Sequence, residues 1–287
     1  MKKLIEAANY EIDYVFKKFA IGNKSGYHHS NTQGAGLEFK TLDSVINFPD
    51  LRRVDWLASE RGGHGLPLVR IFEEQKAIQV IVVSDLSASM SFRGSINKVQ
   101  EIAKLVAALA YSAYRNGDHF GFMGYAEEVL ENFSFSPSFS KNIGFEIGEK
   151  LWNLEPQGKN HDGLNEIPDH LPQEPSLIFW ISDFHTDLWI LENFIERTTN
   201  HEVIAIILDD EREYELVKWG PVKILDPETR KEKFLFLYPS LKRKIKERFA
   251  EQKSRVRNIF DTHKVDCLSL KSFNPEKINE FLRERGE

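Results

Sequence analysis

The sequence predicts an α/β protein with a doubly wound, mostly parallel sheet, a small N-terminal module and a C-terminal β-hairpin plus helix elaboration. Two observations predict it. Short continuous apolar runs, "AIQVIVV" (77–83), "SLIFWISDF" (176–184) and "EVIAIILDD" (202–210), have the length and β-branched content of strands buried on both faces. Between them lie longer segments of helical spacing, "KVQEIAKLVAALAYSAY" (98–114) and "LWILENFIERTT" (188–199), and strands that alternate with helices form parallel sheets covered on both sides.

The remaining elements follow in order. At the N-terminus, Leu4, Ala8, Ile12, Val15, Phe16 and Phe19 recur at helical spacing, which predicts an amphipathic helix docked on the body. "GNKSGYHHSNTQGAG" (22–36) is rich in Gly, Ser and Asn and predicts a loop, followed by strands or single turns around Phe39, Val54 and Leu68 to Phe72. "HFGFMGYA" (119–126) and "VLENFSF" (129–135), separated by Glu127 and Glu128, predict a hairpin at the sheet edge, and 139–154 a helix. After Asp210 the alternation stops: 219–238 reads as two strands around the turn "DPET". Residues 240–260 read as a helix with Leu241, Ile245, Phe249, Val256 and Phe260 on one side and a basic face toward water. The expected division is residues 1–75 for the N-terminal helix and small module, and 76–287 for the main domain with its C-terminal elaboration.

Composition narrows the function. Hydrophobic residues make up 41% of the chain, enough for a packed interior, and the net charge of −6 gives no reason to expect nucleic acid as a partner. One cysteine, Cys267, excludes an internal disulfide, and no Cys/His cluster suggests structural zinc. Glu6, Glu11 and Asp13 interrupt any signal-peptide core, and no window of about 20 apolar residues suggests membrane insertion. A cytoplasmic protein is expected.

Chemistry concentrates at strand ends. "VIVVSDLSASMSF" (80–92) closes a buried strand with Asp85, Ser87 and Ser89, and Asp183 closes another, so the carboxylates should meet where open parallel sheets bind ligands. An oxygen-only set suits a hard divalent cation, Mg²⁺, Mn²⁺ or Ca²⁺, and two neutral serines would leave such an ion electrophilic. The same residues also suit a plain turn or helix cap. Arg52, Asp55 and Trp56 are expected to fix the N-terminal module by ion pair and packing, Asp118 to hydrogen-bond the start of a strand, and Asp209 and Asp210 to face either the ligand edge or solvent.

"DLSAS" resembles the DxSxS signature of the metal-ion-dependent adhesion site (MIDAS) of von Willebrand factor A domains. More closely, "PDLRRVDW" (49–56), "LVRIFEE" (68–74), "DLSASM" (85–90), "NGDHFGF" (116–122) and "ILDPET" (224–229), with "GYHHSNTQGAGLEF" (26–39), resemble the uncharacterised bacterial family known as domain of unknown function fifty-eight, which contains such a domain. The resemblance implies a non-catalytic adaptor whose Ser87 and Ser89 bind the metal directly while Asp85 and Asp183 act through water. It also implies a MoxR-type AAA+ ATPase, or that ATPase's client, as partner in chaperone-like maturation or stress functions.

The chain departs from the pattern twice. Where A-type sites take a threonine from a middle loop, "QGKNHDGL" offers Asn160 or His161, and the family's glycine ahead of the "DW" segment is Pro49. The lost threonine keeps a metal-free interaction scaffold open. A haloacid-dehalogenase-like, Mg²⁺-dependent phosphatase with Asp85 as nucleophile is a further alternative, although its general acid would fall on Ser87.

Overall fold

The structure, a computed structural model, describes residues 2–17, 25–47, 49–62, 66–92, 94–158, 160–210, 212, 220–225, 232–237 and 239–286. Strands β1 (Ser25–Ser44) and β2 (Leu68–Lys76) form an antiparallel ribbon. The main sheet contains β3 (Gln79–Asp85), β4 (His119–Tyr125), β5 (Val129–Ser138), β6 (Leu177–Ser182), β7 (Glu202–Leu208) and β10 (Asp266–Leu270), while β8 (Gly220–Leu225) and β9 (Glu232–Leu237) make a second ribbon. The helices are α1 (Lys2–Ala7), α2 (Trp56–Gly62), α3 (Lys98–Arg115), α4 (Ile143–Trp152), α5 (Ile167–His170), α6 (Leu188–Arg197), α7 (Pro239–His263) and α8 (Pro275–Gly286).

The main sheet runs β10-β7-β6-β3-β4-β5, parallel throughout except for β5, which pairs antiparallel with β4 at the edge. This is the doubly wound, mostly parallel α/β arrangement expected. Strand pleating sends alternate side chains to opposite faces. On β3, Val80 and Val82 join a core with α1, α3, α4 and α8, whereas Ile81 and Val83 join one with α6 and α7. All four are fully buried, each stabilising the fold by roughly 1.5–3 kcal/mol relative to an exposed position. Helix α3 is alanine-rich where α4 crosses it. A Cβ on Gly144 would lie 2.5 Å from Ala110 Cβ, so the glycine sets the helix separation.

Several expectations are corrected. The N-terminal helix ends at Ala7, and residues 10–17 are not helical: Ile12 and Tyr14 are buried while Glu11, Asp13 and Val15 are exposed, a two-residue period. Tertiary partners override the helical spacing there. The Ile12 N–H donates to Ser112 Oγ (2.7 Å), the Asp13 N–H to Asn279 Oδ1 (3.0 Å), and the Tyr14 hydroxyl to Asp118 Oδ2 (2.7 Å). The predicted loop at 22–36 is strand β1 from Ser25 onward, irregular in register, and such bulges accommodate its small residues. Trp56 is 69% exposed and does not pack as expected, although Asp55 does pair with Arg70 (2.7 Å); Arg52 pairs with Asp50 (3.1 Å) instead. The alternation also resumes after the C-terminal hairpin. Strand β10 lies parallel to β7, and α8 buries Ile278 and Leu282. Phe19, the "DPET" turn at 226–229 and the side chains of His28 and His29, which the sequence assigns to loop polarity rather than ligation, lie outside the described residues.

No helix among the described residues is long and apolar enough to cross a membrane.

Asp118 also accepts from the Ile78 N–H (2.9 Å), so it joins the start of β3 to the N-terminal segment, as expected of it. Burial, then the Asp118 carboxylate, pushes the Tyr14 phenol well above its ordinary pKa, which keeps it a donor. Asp118→Ala, which strands the buried Ile78 N–H and removes the acceptor of the Tyr14 hydroxyl, should lower stability by about 2–4 kcal/mol, and Tyr14→Phe by about 1 kcal/mol. Urea denaturation of both variants checks the order.

Candidate functional site

The chain crosses from β3 to β4 through α3 on one face of the sheet, and from β6 to β7 through α6 on the other. Since β3 and β6 are neighbours, their connections part in opposite directions and leave a crevice outside their carboxyl ends. Asp85 ends β3, and Asp183 follows Ser182, the last residue of β6.

Asp85 is fully buried and both its oxygens are held. Oδ1 accepts from the Ser87 N–H (2.9 Å) and Oδ2 from the Ser182 hydroxyl (3.0 Å). Ser182 Oγ accepts in turn from the Phe184 N–H (2.9 Å). Phe184 sits in the left-handed region (φ 57°), an uncommon conformation for a side-chain-bearing residue. Its ring, packed on Trp180 (4.7 Å between centroids) and Phe260 (5.1 Å), holds that turn and thereby aims Asp183.

Ser87 precedes a short 3-10 turn, Ala88–Ser91, yet its side chain makes no cap hydrogen bond. Instead its hydroxyl lies 3.1 Å from Ser89 Oγ and 3.1 Å from His161 Nε2, and Nε2 is 3.4 Å from Asp85 Oδ2. The sequence-predicted Asp85, Ser87, Ser89 and His161 therefore converge, with only Ser89 reaching the surface to a degree. Asn160 does not join them: its amide donates to Asp162 Oδ2 (2.6 Å) in an exposed position. The His161 loop is seated by Gly163, whose N–H donates to Ala126 O (3.0 Å), and a Cβ there would lie 2.5 Å from the Glu128 carbonyl carbon.

Sequence reasoning missed Lys98. Its ammonium donates to Asp183 Oδ2 (2.8 Å), and its side chain is completely buried. As the first residue of α3 it places a positive charge at the positive end of the helix dipole, so local electrostatics oppose its position and the Asp183 contact must offset them. Burial raises the Asp183 carboxyl, but Lys98, His185 and the His185 N–H (3.1 Å) outweigh it and hold the group well below the usual carboxylate range. Nearby, Tyr125 accepts from Trp180 Nε1 (3.1 Å); burial, then Asp85, raises its phenol well above the ordinary value, so it stays neutral. A lysine opening an otherwise apolar helix was the only signal in the sequence for this pair.

The divalent ion implied by the A-type resemblance can be tested against these donors. Two carboxylates would have to offset a double positive charge, yet Asp183 is already neutralised by a buried ammonium, and the Asp85 oxygens face Ser87, Ser182 and His161. Among the described residues no three His, Cys, Asp or Glu side chains gather as an ion cage. As arranged, the donors do not suit a divalent ion.

Asp209 and Asp210 are also placed differently from a solvent-exposed strand end. Asp209 pairs with Lys253 (2.7 Å), and the buried Asp210 accepts from Ser95 Oγ and from the Ser95 (2.7 Å) and Ile96 (3.2 Å) N–H groups, anchoring the loop ahead of α3.

Because the folded-state Asp183 pKa is depressed, its contribution to stability is complete above about pH 4, the unfolded value, and is lost as pH falls toward the folded one. Urea denaturation from pH 5 to 2 should therefore show a shallower acid loss for Asp183→Asn than for wild type. Equal slopes would remove the pair from the pH response.

Residues 49–259, more than half of the chain, match the family described as "Protein of unknown function DUF58". No curated protein matches. Among solved structures the chain is similar to the conserved hypothetical protein BatB from Bacteroides thetaiotaomicron (13% identity over 73% of this chain and 99% of that one, TM-score 0.46). It is also similar to an aerotolerance-related membrane protein from Bacteroides fragilis (12% identity, 72% of this chain and 100% of that one, TM-score 0.46). A third is the mussel byssus proximal thread matrix protein 1 with a zinc-occupied MIDAS motif (14% identity, 72% of this chain and 46% of that one, TM-score 0.41). With the doubly wound sheet, the paired strand ends and the family match in hand, the chain belongs to the DUF58 family.

Proposed function

We propose that this chain is a non-catalytic, cytoplasmic interaction module that presents the carboxyl edge of its sheet to a protein partner, and that the partner is a MoxR-type AAA+ ATPase or its client. The observation that carries the reading is the closed polar cluster at the switch point: Asp85, Ser87, Ser182 and His161 satisfy one another beneath a partly exposed Ser89. A buried carboxylate with both oxygens engaged is poorly placed to attack a phosphorus atom, which weighs against the phosphatase alternative. Beside the cluster a cleft of about 460 Å³ opens along Leu86, Val129, Leu130, Phe133 and Leu154, with Glu128, Glu131 and Glu155 among its polar residues. An apolar floor with a charged rim suits a protein segment.

Binding of a purified MoxR-type ATPase to wild-type protein and to Ser89→Arg, measured by biolayer interferometry, tests the reading. Wild type should bind, and the bulky charge at the rim should weaken binding at least about tenfold, a loss of 1.4 kcal/mol or more. Equal affinity of the two proteins would place the contact elsewhere, and no binding by wild type would remove this partner.

A further inference from the structure

We propose that Lys98 is a built-in cation of this edge, standing in charge for the divalent ion that the A-type resemblance implies, and that contacts at the edge form without a metal. Three observations carry the inference. The Lys98 ammonium is completely buried and 2.8 Å from Asp183 Oδ2, so the carboxylate that would complete an ion site is already neutralised by a group the chain cannot lose. His161 occupies the middle-loop position, its Nε2 3.1 Å from Ser87 Oγ and 3.4 Å from Asp85 Oδ2, which closes the cluster where a third ligand would be expected. The placement of Lys98 is also deliberate in energetic terms: a lysine at the first residue of a helix works against the dipole, and the loop before it is pinned by Asp210 through the Ser95 and Ile96 N–H groups.

At the two neighbouring strand ends the Asp85 and Asp183 carboxylates and the Lys98 ammonium together carry a single net negative charge. A dication arriving there would meet the ammonium as well as the carboxylates, and buried like charges repel strongly. The contact chemistry then rests on the Ser87 and Ser89 hydroxyls and the imidazole, hydrogen-bonding groups that do not require a partner's carboxylate as a ligand.

The inference deepens the reading of this edge as the contact site, and its test needs no partner, so the two can fail separately. Mn²⁺ is titrated into the full chain while the electron paramagnetic resonance signal of free Mn²⁺ is followed, for wild type, Lys98→Met and Lys98→Met/Asp85→Ala. Wild type should leave the signal undiminished up to about 1 mM, the weak end of oxygen-ligand cation sites. Lys98→Met, which frees Asp183, should take up one equivalent at least about tenfold more tightly, and the added Asp85→Ala should abolish that gain. One equivalent bound by wild type and lost in Asp85→Ala would overturn the proposal, as would a folded Lys98→Met that gains nothing. Should circular dichroism show Lys98→Met unfolded, wild-type melting decides: a midpoint unmoved by chelator or Mn²⁺ supports the built-in cation, and an Asp85-dependent rise with Mn²⁺ overturns it.

Discussion

The buried ion pair between Lys98 and Asp183 joins the start of α3, which covers one face of the sheet, to the turn after β6, from which the chain leaves for the other face. It therefore spans the switch point where a doubly wound sheet is least covered. Removing one partner of such a pair costs about 3–5 kcal/mol because the other charge is left without compensation in a dry interior. Domain stabilities are about 5–15 kcal/mol, so the orientation of both central crossovers depends heavily on this one contact. The Ser182 to Asp85 hydrogen bond repeats the tie one step across, from the end of β6 to the end of β3.

Around that pair, the edge is built from small contacts that each limit one freedom. Phe184 in its left-handed turn directs Asp183 inward, Gly163 lets the His161 loop lie against the Glu128 backbone, and Asp210 gathers the N–H groups of the loop before α3. Burial raises the Asp210 carboxyl, but the Ser95 hydroxyl and three backbone N–H groups lower it further than burial raises it. Asp209, one residue earlier, reaches the other way to Lys253 on α7. Adjacent carboxylates at one strand end thus fasten the helices of opposite faces.

What the sequence disclosed, and what it hid, follows from the range of the forces involved. β3, β6, β7 and α3 were legible because their apolar runs are long and almost wholly buried, and α6 because its buried Ile190, Leu191, Phe194 and Ile195 recur at helical spacing. β10, "DCLSL", was missed: five residues with alternate burial and two polar side chains carry little strand signal until β7 is there to pair with. The segment 10–17 satisfied helical spacing and strand alternation at once, and Ser112, Asp118 and Asn279, all more than 90 residues away, decide in favour of the extended form. The site shows the same division. Asp85, Ser87 and Ser89 are close in sequence and could be read from spacing, whereas the Lys98 contact bridges 85 residues and exists only because the start of α3 comes to lie beside the turn that follows β6.

The clasp between the two ends of the chain has a consequence for where the folding unit stops. Asn279 bonds to the backbone of Glu11 and Asp13, Arg283 pairs with Asp13, and Arg285 reaches Val15 O and Asp266, all outside the stretch that defines the family, residues 49–259; within that stretch Arg285 reaches only Glu202, at the start of β7. A fragment cut at those family limits would lose β10 and leave β7 as an unprotected edge strand of almost wholly apolar sequence, a template for intermolecular pairing and aggregation.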